Sequence, residues 1–336
     1  MNSILKDLLQ DQKNKELIKL NAVEIVEVLF SELQERERDI LTRRFSLESE
    51  RAQTLEEIGK LHNLTRERVR QIEQSSLKKL KKIEDLDAHL ESLKVMVNKL
   101  LEEHGGAMEK DFLLDILTVL TYQTEKGIKH DRKAYKKYLE FVLSELLDDE
   151  IDQVNKSDKF FPFFKLKNQA IDYLESLAEE VKIQLDRIKK TLYFEELVDV
   201  IKDIKWFSFN RKRVTNNDDL DLKKVFKDET FPEWAEIINR NKPLYSLVQT
   251  IKGVGANKFG KWGKEEWVEV RPKKITDKIY LVLKNEKKPL HFTEITNKIN
   301  EIGFNHKKVS PGSVHNELIL DDRYVLVDRG VYALKK

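Results

Sequence analysis

Between Thr65 and Glu73 the chain reads Thr-Arg-Glu-Arg-Val-Arg-Gln-Ile-Glu, and three of its residue types can address the edges of DNA bases. Arg donates two parallel hydrogen bonds to guanine O6 and N7, Gln pairs with adenine, and Glu accepts from cytosine N4. Arg66, Glu67, Arg70 and Gln71 lie opposite Val69, Ile72, Leu77 and Leu80 when the stretch is wound as a helix. Thr65 is a suitable N-cap for that helix. Upstream, Thr54 and Glu57 have the spacing of a capping box, and Leu55, Ile58 and Leu61 follow at helical spacing. His62-Asn63 breaks the pattern, because Asn tolerates turn geometry. Two short helices joined by a tight turn are expected. The polar residues then stand near the N-terminal end of the second helix, the end that a helix-turn-helix inserts into the major groove. From Arg66 to Lys82 there are seven basic and two acidic residues, a local excess suited to phosphates. A solvated helix laced with Arg–Glu pairs would use the same residue types, and Lys78 to Lys82 alone also suit a helix C-terminus.

The wording of this stretch resembles the recognition helix of region 4 in primary bacterial sigma factors. The resemblance extends back through Leu33-x-Glu35-Arg36-Glu37-Arg38-Asp39-Ile40-Leu41 and Arg43-Arg44-Phe45, and forward to Leu77-Lys78-Lys79-Leu80, with no gap. It implies a domain that reads the upstream promoter hexamer, the −35 element, and that also packs on the core polymerase. Carried over position by position, Arg66, Glu67 and Gln71 are the implied base readers. Arg36, Arg44, Thr54 and Leu55 fall where the family touches the DNA backbone, and Arg68 and Arg70 flank the reading face. Two positions depart from the pattern: Ser46 stands where the family usually has Gly, and Ser75 where many members carry a basic residue. The matching part starts near residue 31, so a complete primary sigma factor, with the upstream regions that melt DNA, is not expected.

The rest of the chain must position or supplement this element. Its 336 residues suffice for two to four small domains. With 62 Lys+Arg against 60 Asp+Glu, net charge says little about partners. Cysteine is absent and 36% of residues are charged, which suits a cytosolic, highly soluble protein without disulfides or a Cys-based zinc site. No apolar run approaches a membrane span, and the N-terminus lacks the apolar core of a signal peptide.

The expected fold is mainly α and multi-domain: a region 4-like helix-turn-helix followed by winged-helix-like units with small β-hairpin wings. Residues 1–30 are expected as a helical segment and 31–84 as the DNA-binding domain. A first winged-helix-like unit covers 85–167, with helices over 86–101, 110–119 and 134–147, a loop over 122–131 and a hairpin over 151–166. A second covers 168–272, with a helix over 171–188, a charged loop after Ile201, a helix opening at Phe231-Pro232-Glu233-Trp234, and an end at Trp262 and Trp267–Val270. The third covers 273–336. Its segment Lys288 to Ile299 repeats Lys190 to Ile201, keeping Lys, Leu, Phe, Glu and the final Ile at the same offsets. Gly106 to Leu117 is a weaker copy. In the last unit a helix is expected after Ser313, then a hairpin turning at Asp328-Arg329-Gly330. Leu290, Phe292, Ile295, Val314, Leu318, Val325, Val327 and Leu334 make its expected core. This unit resembles the HARE-type winged helix found in the delta subunit of some bacterial RNA polymerases. That resemblance implies attachment to the transcription machinery or to DNA.

Catalysis is not expected. Gly255-Ala-Asn-Lys-Phe-Gly-Lys261 imitates a phosphate-binding loop, but Trp262 stands where Ser or Thr should hold magnesium. A basic wing presenting Lys252, Lys258, Lys261 and Lys264 is the expected alternative. The seven histidines are scattered, and His291 and His315 are expected to pack or cap. Asp148-Asp149-Glu150 and Asp321-Asp322 read as turns. No catalytic or metal residues, no cofactor and no small-molecule substrate are assigned. The expected partners are double-stranded promoter DNA and the RNA polymerase core. The competing reading is a polymerase-associated accessory factor without sequence-specific DNA reading.

Overall fold

The apolar run after Asn21 forms α1 (Ala22–Ser31), and the Asn21 side chain accepts from the Val23 amide at 3.2 Å to cap it. This computed structural model describes residues 20–124, 130–216, 220–304 and 307–335. Most of the expected N-terminal helical segment, 1–19, therefore lies outside the described residues, as do 125–129 of the expected loop. Next come α2 (Glu35–Arg44), α3 (Leu55–His62) and α4 (Arg66–Leu80). Ile40, Ile58 and Val69, one from each helix, meet in a small core that Leu55, Leu64 and Ile72 flank. Leu61, expected on the inner face, is 58% exposed. Two steps of three residues carry it about 120° round from Leu55 at roughly 3.6 residues per turn, so His62 takes the inner position instead.

Downstream, α5 (Leu86–Glu103) ends at His104, and Gly105 and Gly106 turn the chain with φ of 81° and 90°. Strand β1 (Ala107–Glu109) leads into α6 (Lys110–Thr124). That helix runs past Val119 and absorbs Tyr122, expected in a loop, because Leu120 and Thr121 are still buried. Helix α7 (Arg132–Phe141) continues as a π-helical turn over Val142–Leu146, and β2 (Ile151–Val154) and β3 (Phe163–Leu166) close the hairpin.

Helix α8 (Asp172–Ile188) precedes β4 (Leu192–Tyr193) and α9 (Phe194–Lys202). The expected charged loop after Ile201 contains a helix, α10 (Lys205–Val214), whose Trp206 and Val214 are buried anchors between charged positions. The segment opening at Pro232 is a 3-10 helix, Glu233–Arg240, followed by the almost wholly buried α11 (Lys242–Gln249). Strands β5 (Val254–Ala256) and β6 (Lys261–Lys264) form the next hairpin. The last elements are α12 (Ile275–Glu286), β7 (Leu290–His291), α13 (Phe292–Ile302), α14 (Pro311–Leu320), β8 (Tyr324–Asp328) and β9 (Val331–Leu334). Helix α14 starts before Ser313, because Ser310 is its N-cap and Pro311 its first residue.

Among the described residues the sheets repeat one plan. Their strand orders are β1-β3-β2, β4-β6-β5 and β7-β9-β8, all antiparallel, so a short leading strand always pairs with the last strand of the following hairpin. The repeated Glu has one job in two of them. Glu196 accepts from the Tyr193 amide at 2.7 Å, and Glu294 from the His291 amide at 3.1 Å, so each closes a capping box.

The chain packs as two compact units. One comprises the described residues up to Tyr173 together with Asn210–Thr250; the other comprises Leu174–Phe209 and Ile251 onward. The protein is thus mainly helical and multi-domain, with small antiparallel hairpins. In the last repeat, Leu290, Ile295, Val314 and Leu318 are buried as expected, with Phe292 and Leu334 packed beside them. Val325 and Val327 are not: they are 41% and 50% exposed, while Tyr324 and Tyr332 point inward. Tyr324 is the one buried residue of β8, and the strand beyond it, Leu326 at 58% exposure included, stands clear of the core. His291 caps α13, and His315 lies between the rings of Phe292 and Tyr332. In the β5–β6 hairpin, Lys264 is paired with Asp186 and Glu266, and Lys261 lies over the Tyr193 ring, which leaves Lys258 as the exposed cation of its turn. No described helix is long and apolar enough to cross a membrane.

Candidate nucleic-acid interface

Two caps and one glycine fix the angle between α3 and α4. Thr54 Oγ1 accepts from the Glu57 amide at 3.2 Å, and Glu57 Oε2 accepts from the Thr54 amide at 2.8 Å. Those bonds, joined by Arg51 at 2.8 Å, hold the Glu57 carboxyl down at about 2. The stability this carboxylate lends is complete above its ordinary value of 4.5 and is lost as pH falls through about 2. Glu57→Gln should therefore flatten the stability profile of the domain across that window, as followed by circular dichroism at graded acid pH. An unchanged acid limb would show that the capping carboxylate does not contribute.

Asn63 makes the turn in the left-handed region, with φ 54° and ψ 44°, and the Leu64 amide donates back to the Gly59 carbonyl at 2.8 Å. A Cβ on Gly59 would stand 2.6 Å from the Leu64 carbonyl oxygen. Gly59→Ala should consequently force the helices apart, costing about 1–3 kcal/mol by overpacking. Duplex binding should weaken with it; a variant equally stable to urea and equally tight on DNA would refute the close approach. A second strained position explains one departure noted from sequence: Ser46 has φ 53°, where Gly is at ease.

Thr65 Oγ1 accepts from the Arg68 amide at 3.2 Å and starts α4. Val69 faces inward, and Arg66, Glu67, Arg68, Arg70 and Gln71 are all exposed. They form a connected set. Arg70 donates to both oxygens of Glu67 at 2.8 and 2.6 Å, Gln71 donates to Glu67 at 3.4 Å, and Arg68 donates to Gln71 at 3.2 Å. The Arg70 hydrogen bonds hold the Glu67 carboxyl below the usual carboxylate range. Arg66 has no ion-pair partner among the described residues. DNA would have to exchange these local pairs for base edges, which costs little because all five side chains are solvated.

The other positions assigned to the DNA backbone differ in what they can offer. Arg36 is exposed at the start of α2, beside an open pocket lined also by Gln34, Arg38, Asp39 and His62. Arg44 is half-buried, paired with Glu73 of α4 at 3.2 Å and donating to the Gln53 carbonyl at 3.5 Å, so it braces the domain as well as reaching its surface. The Thr54 hydroxyl is used as a cap. The Leu55 side chain packs on the core, so at this position only the backbone amide of the helix start is available to a phosphate.

Two braces were not read from the sequence. Asp39 accepts from Arg43 at 2.7 Å and faces His62 Nε2 at 2.7 Å, tying α2 to the end of α3. Burial pushes the Asp39 carboxyl up, but the bonds from Arg43 and His62 prevail and hold it low. Lys79 likewise pairs with Glu37. The Asp39–Arg43 spacing of four was legible; His62 and Lys79 come from distant parts of the chain.

Among the described residues no group of three or more His, Asp or Glu is placed to hold a metal ion. Residues 29–82 match the family described as Sigma-70, region 4, a non-catalytic DNA-binding module. The chain is 46% identical over 72 residues to RNA polymerase sigma factor SigA of Nostoc sp., covering 21% of this chain and 17% of that protein. It is 47% identical over 72 residues to sigma factor SigA1 of Synechococcus elongatus, again 21% and 17%. With SigA of Bacillus sp it shares 40% over 84 residues, 24% of this chain and 22% of the relative. The match thus spans about a fifth of each relative's length. No solved structure matches the chain. Capped helices, a left-handed turn and an exposed polar face on α4 accord with this likeness: the N-terminal region of the chain is a helix-turn-helix of the Sigma-70 region 4 kind.

Proposed function

We propose that this chain regulates transcription by binding promoter DNA of the −35 type as a duplex and by engaging the RNA polymerase core. The single observation that carries the reading is the solvated row Arg66, Glu67, Gln71 at the start of α4, inside the region 4 match. In this reading those three contact base edges, while Arg36, Arg44, Arg68, Arg70 and the Thr54–Leu55 helix start meet phosphates. The repeated strand–helix–helix–hairpin plan supports winged-helix units in the rest of the chain, the last of the HARE type. Such units would add attachment to the transcription machinery.

Arg66→Ala or Gln71→Ala should lose about 1–3 kcal/mol of discrimination between a −35-like duplex and a scrambled one, with a smaller loss on unrelated DNA. Fluorescence anisotropy on the two duplexes measures it. Wild-type preference in both variants would sink the base-reading assignment.

A second reading, a polymerase-associated factor that does not read sequence, is favoured by one feature: Glu67 and Gln71 are already partnered by Arg70 and Arg68. Capture by core polymerase with no preference among duplexes would select it.

A further inference from the structure

We propose that the outer edge of β8 docks an extended segment of a partner protein, apolar in its middle and basic at both ends. The strand order β7-β9-β8 leaves β8 with one open side. The bonds around it fix which peptide groups face that side. The Lys335 amide donates to the Arg323 carbonyl at 2.7 Å, and Tyr324, Val325 and Leu326 stand opposite Leu334, Ala333 and Tyr332. Hydrogen-bonded pairs alternate along an antiparallel ladder, so after Arg323 the next bonded residue is Val325. Tyr324 and Leu326 therefore turn their peptide groups outward. The far side of the sheet gives the same phase. The Phe292 amide donates to the Gly330 carbonyl at 3.0 Å, so Tyr332, two residues on, is bonded to Leu290 of β7 and not to Leu326. The Tyr324 amide is taken by the Asp321 carbonyl at 3.2 Å. The Tyr324 carbonyl and the amide and carbonyl of Leu326 remain, a set that one extended backbone satisfies at once. The ladder to β9 is irregular between Leu326 and Asp328, which confines the regular edge to 324–326.

The side chains around these groups name the chemistry of the visitor. Val325, Leu326 and Val327 are exposed, and α14, which packs beside β8, ends in the exposed Ile319 and Leu320. No Lys or Pro, the usual guards of an open edge, interrupts the strand. Strands β2 and β5 hold the same outer place in the other two sheets, and none of their residues is exposed. Asp322 before β8 and Asp328 at its end are exposed carboxylates, whereas Arg323 is held by Asp321 at 2.7 Å and Asp277 at 3.5 Å. Two carboxylates flanking an apolar strand repel a phosphate backbone and favour a basic residue at each end of an incoming strand. A second copy is disfavoured on the same ground. Leu326 against Leu326 would set Arg323 opposite Arg329, and Val325 against Val325 would set Asp322 opposite Asp328.

The test uses the full chain labelled with 15N-leucine and two heptapeptides, Lys-Thr-Ile-Val-Ile-Thr-Lys and its twin with Asp at both ends. The basic-ended peptide should shift the Leu326 amide resonance, slow its exchange with solvent, and bind about 3- to 30-fold more tightly than the acidic twin. Leu326→Pro removes the outward amide without touching a bond to β9, and should weaken the peptide about 2- to 10-fold. Where that variant fails to fold, Asp322→Asn with Asp328→Asn decides, since it should erase the preference for basic ends. Arg66→Ala should change none of this, which separates the edge from duplex reading by α4. The proposal is overturned if neither peptide moves the Leu326 resonance at millimolar concentration, or if the acidic twin binds as well as the basic one. It is equally overturned if the double variant keeps the preference, or if a folded Leu326→Pro binds the peptide as wild type does. A wild-type dimer in sedimentation that Leu326→Pro abolishes would overturn it in favour of a second copy. Loss of duplex binding in Leu326→Pro, with peptide binding unchanged, would overturn it in favour of a nucleic-acid contact.

Discussion

Replacing Lys242 by Met is expected to destabilise the first compact unit by about 3–5 kcal/mol, the cost of leaving one partner of a buried ion pair alone. Lys242 is fully buried and Glu103 nearly so, and the ammonium donates to Glu103 Oε2 at 2.7 Å and to the Leu220 carbonyl. Burial pushes the Glu103 carboxyl up, against the pull of Lys242. The neighbouring His104 does not relieve it: burial, with the Lys242 charge beside it, holds the imidazole down at about 3, so it stays neutral with Nδ1 on Ser246 Oγ. Removing the lysine alone strands a carboxylate in an apolar shell made by α5 and α11. Adding Glu103→Leu should recover most of the loss, because an apolar pair of similar size packs there without charge. Urea unfolding followed by the fluorescence of Trp234, the tryptophan of this unit, gives both numbers. If the single variant loses less than about 1 kcal/mol, or the double variant is worse than the single, the pair is not the internal brace described.

That pair also marks where sequence reading reaches its limit. A lysine followed by Pro243 in a polar stretch looks like surface, and nothing within a helical turn announces a carboxylate at position 103. The helix-turn-helix was legible because its determinants are local: Thr54 with Glu57, Asn63 at the turn, and Val69 with Ile72 opposite Arg66 and Gln71. Helix α10 was missed for the converse reason. Its apolar anchors Trp206 and Val214 are sparse, and Arg211-Lys212-Arg213 between them suggests a solvated loop. The inward parity of β8 was misjudged because Val-Leu-Val is the more apolar reading, whereas Tyr324 finds a place against α12, its hydroxyl donating to the Thr276 carbonyl. Of the residues assigned to the interface, those on α4 stand exposed together, and those whose roles depended on distant partners do not. Arg44 is claimed by Glu73 and the Leu55 side chain by Ile58 and its neighbours.

The region 4-like domain is fastened to the rest of its unit, and Phe141→Ala is expected to show this with a loss of about 3–5 kcal/mol. Phe141, at the end of α7, is 1% exposed. Its ring meets Phe45 edge-on at 4.8 Å and Phe30 at 5.7 Å, so it fills the space between α1 and the turn after α2. Nearly two turns earlier on the same helix, the Tyr135 hydroxyl donates to the Leu20 carbonyl at 2.7 Å and receives the Ala22 amide at 3.4 Å. Lys137 donates to the Ser49 carbonyl, and Lys81 beyond α4 pairs with Asp148 at 2.6 Å. An apolar face of α1 that an isolated domain would expose is thus covered by the chain's own next repeat. Residues 20–82 alone should therefore be less stable than within the chain, and Phe141→Ala should lower the unfolding midpoint of α1 to α4 together with that of α5 to α7. Hydrogen exchange of the Ile40, Ile58 and Val69 amides reads the first group, and exchange of the Leu113 and Leu139 amides reads the second. Faster exchange in both groups by a similar factor is the expected result. Acceleration confined to Leu113 and Leu139, with the α1–α4 core as protected as before, would mean that the two parts unfold independently and that the Phe30–Phe141–Phe45 contact contributes little to holding the region 4-like domain.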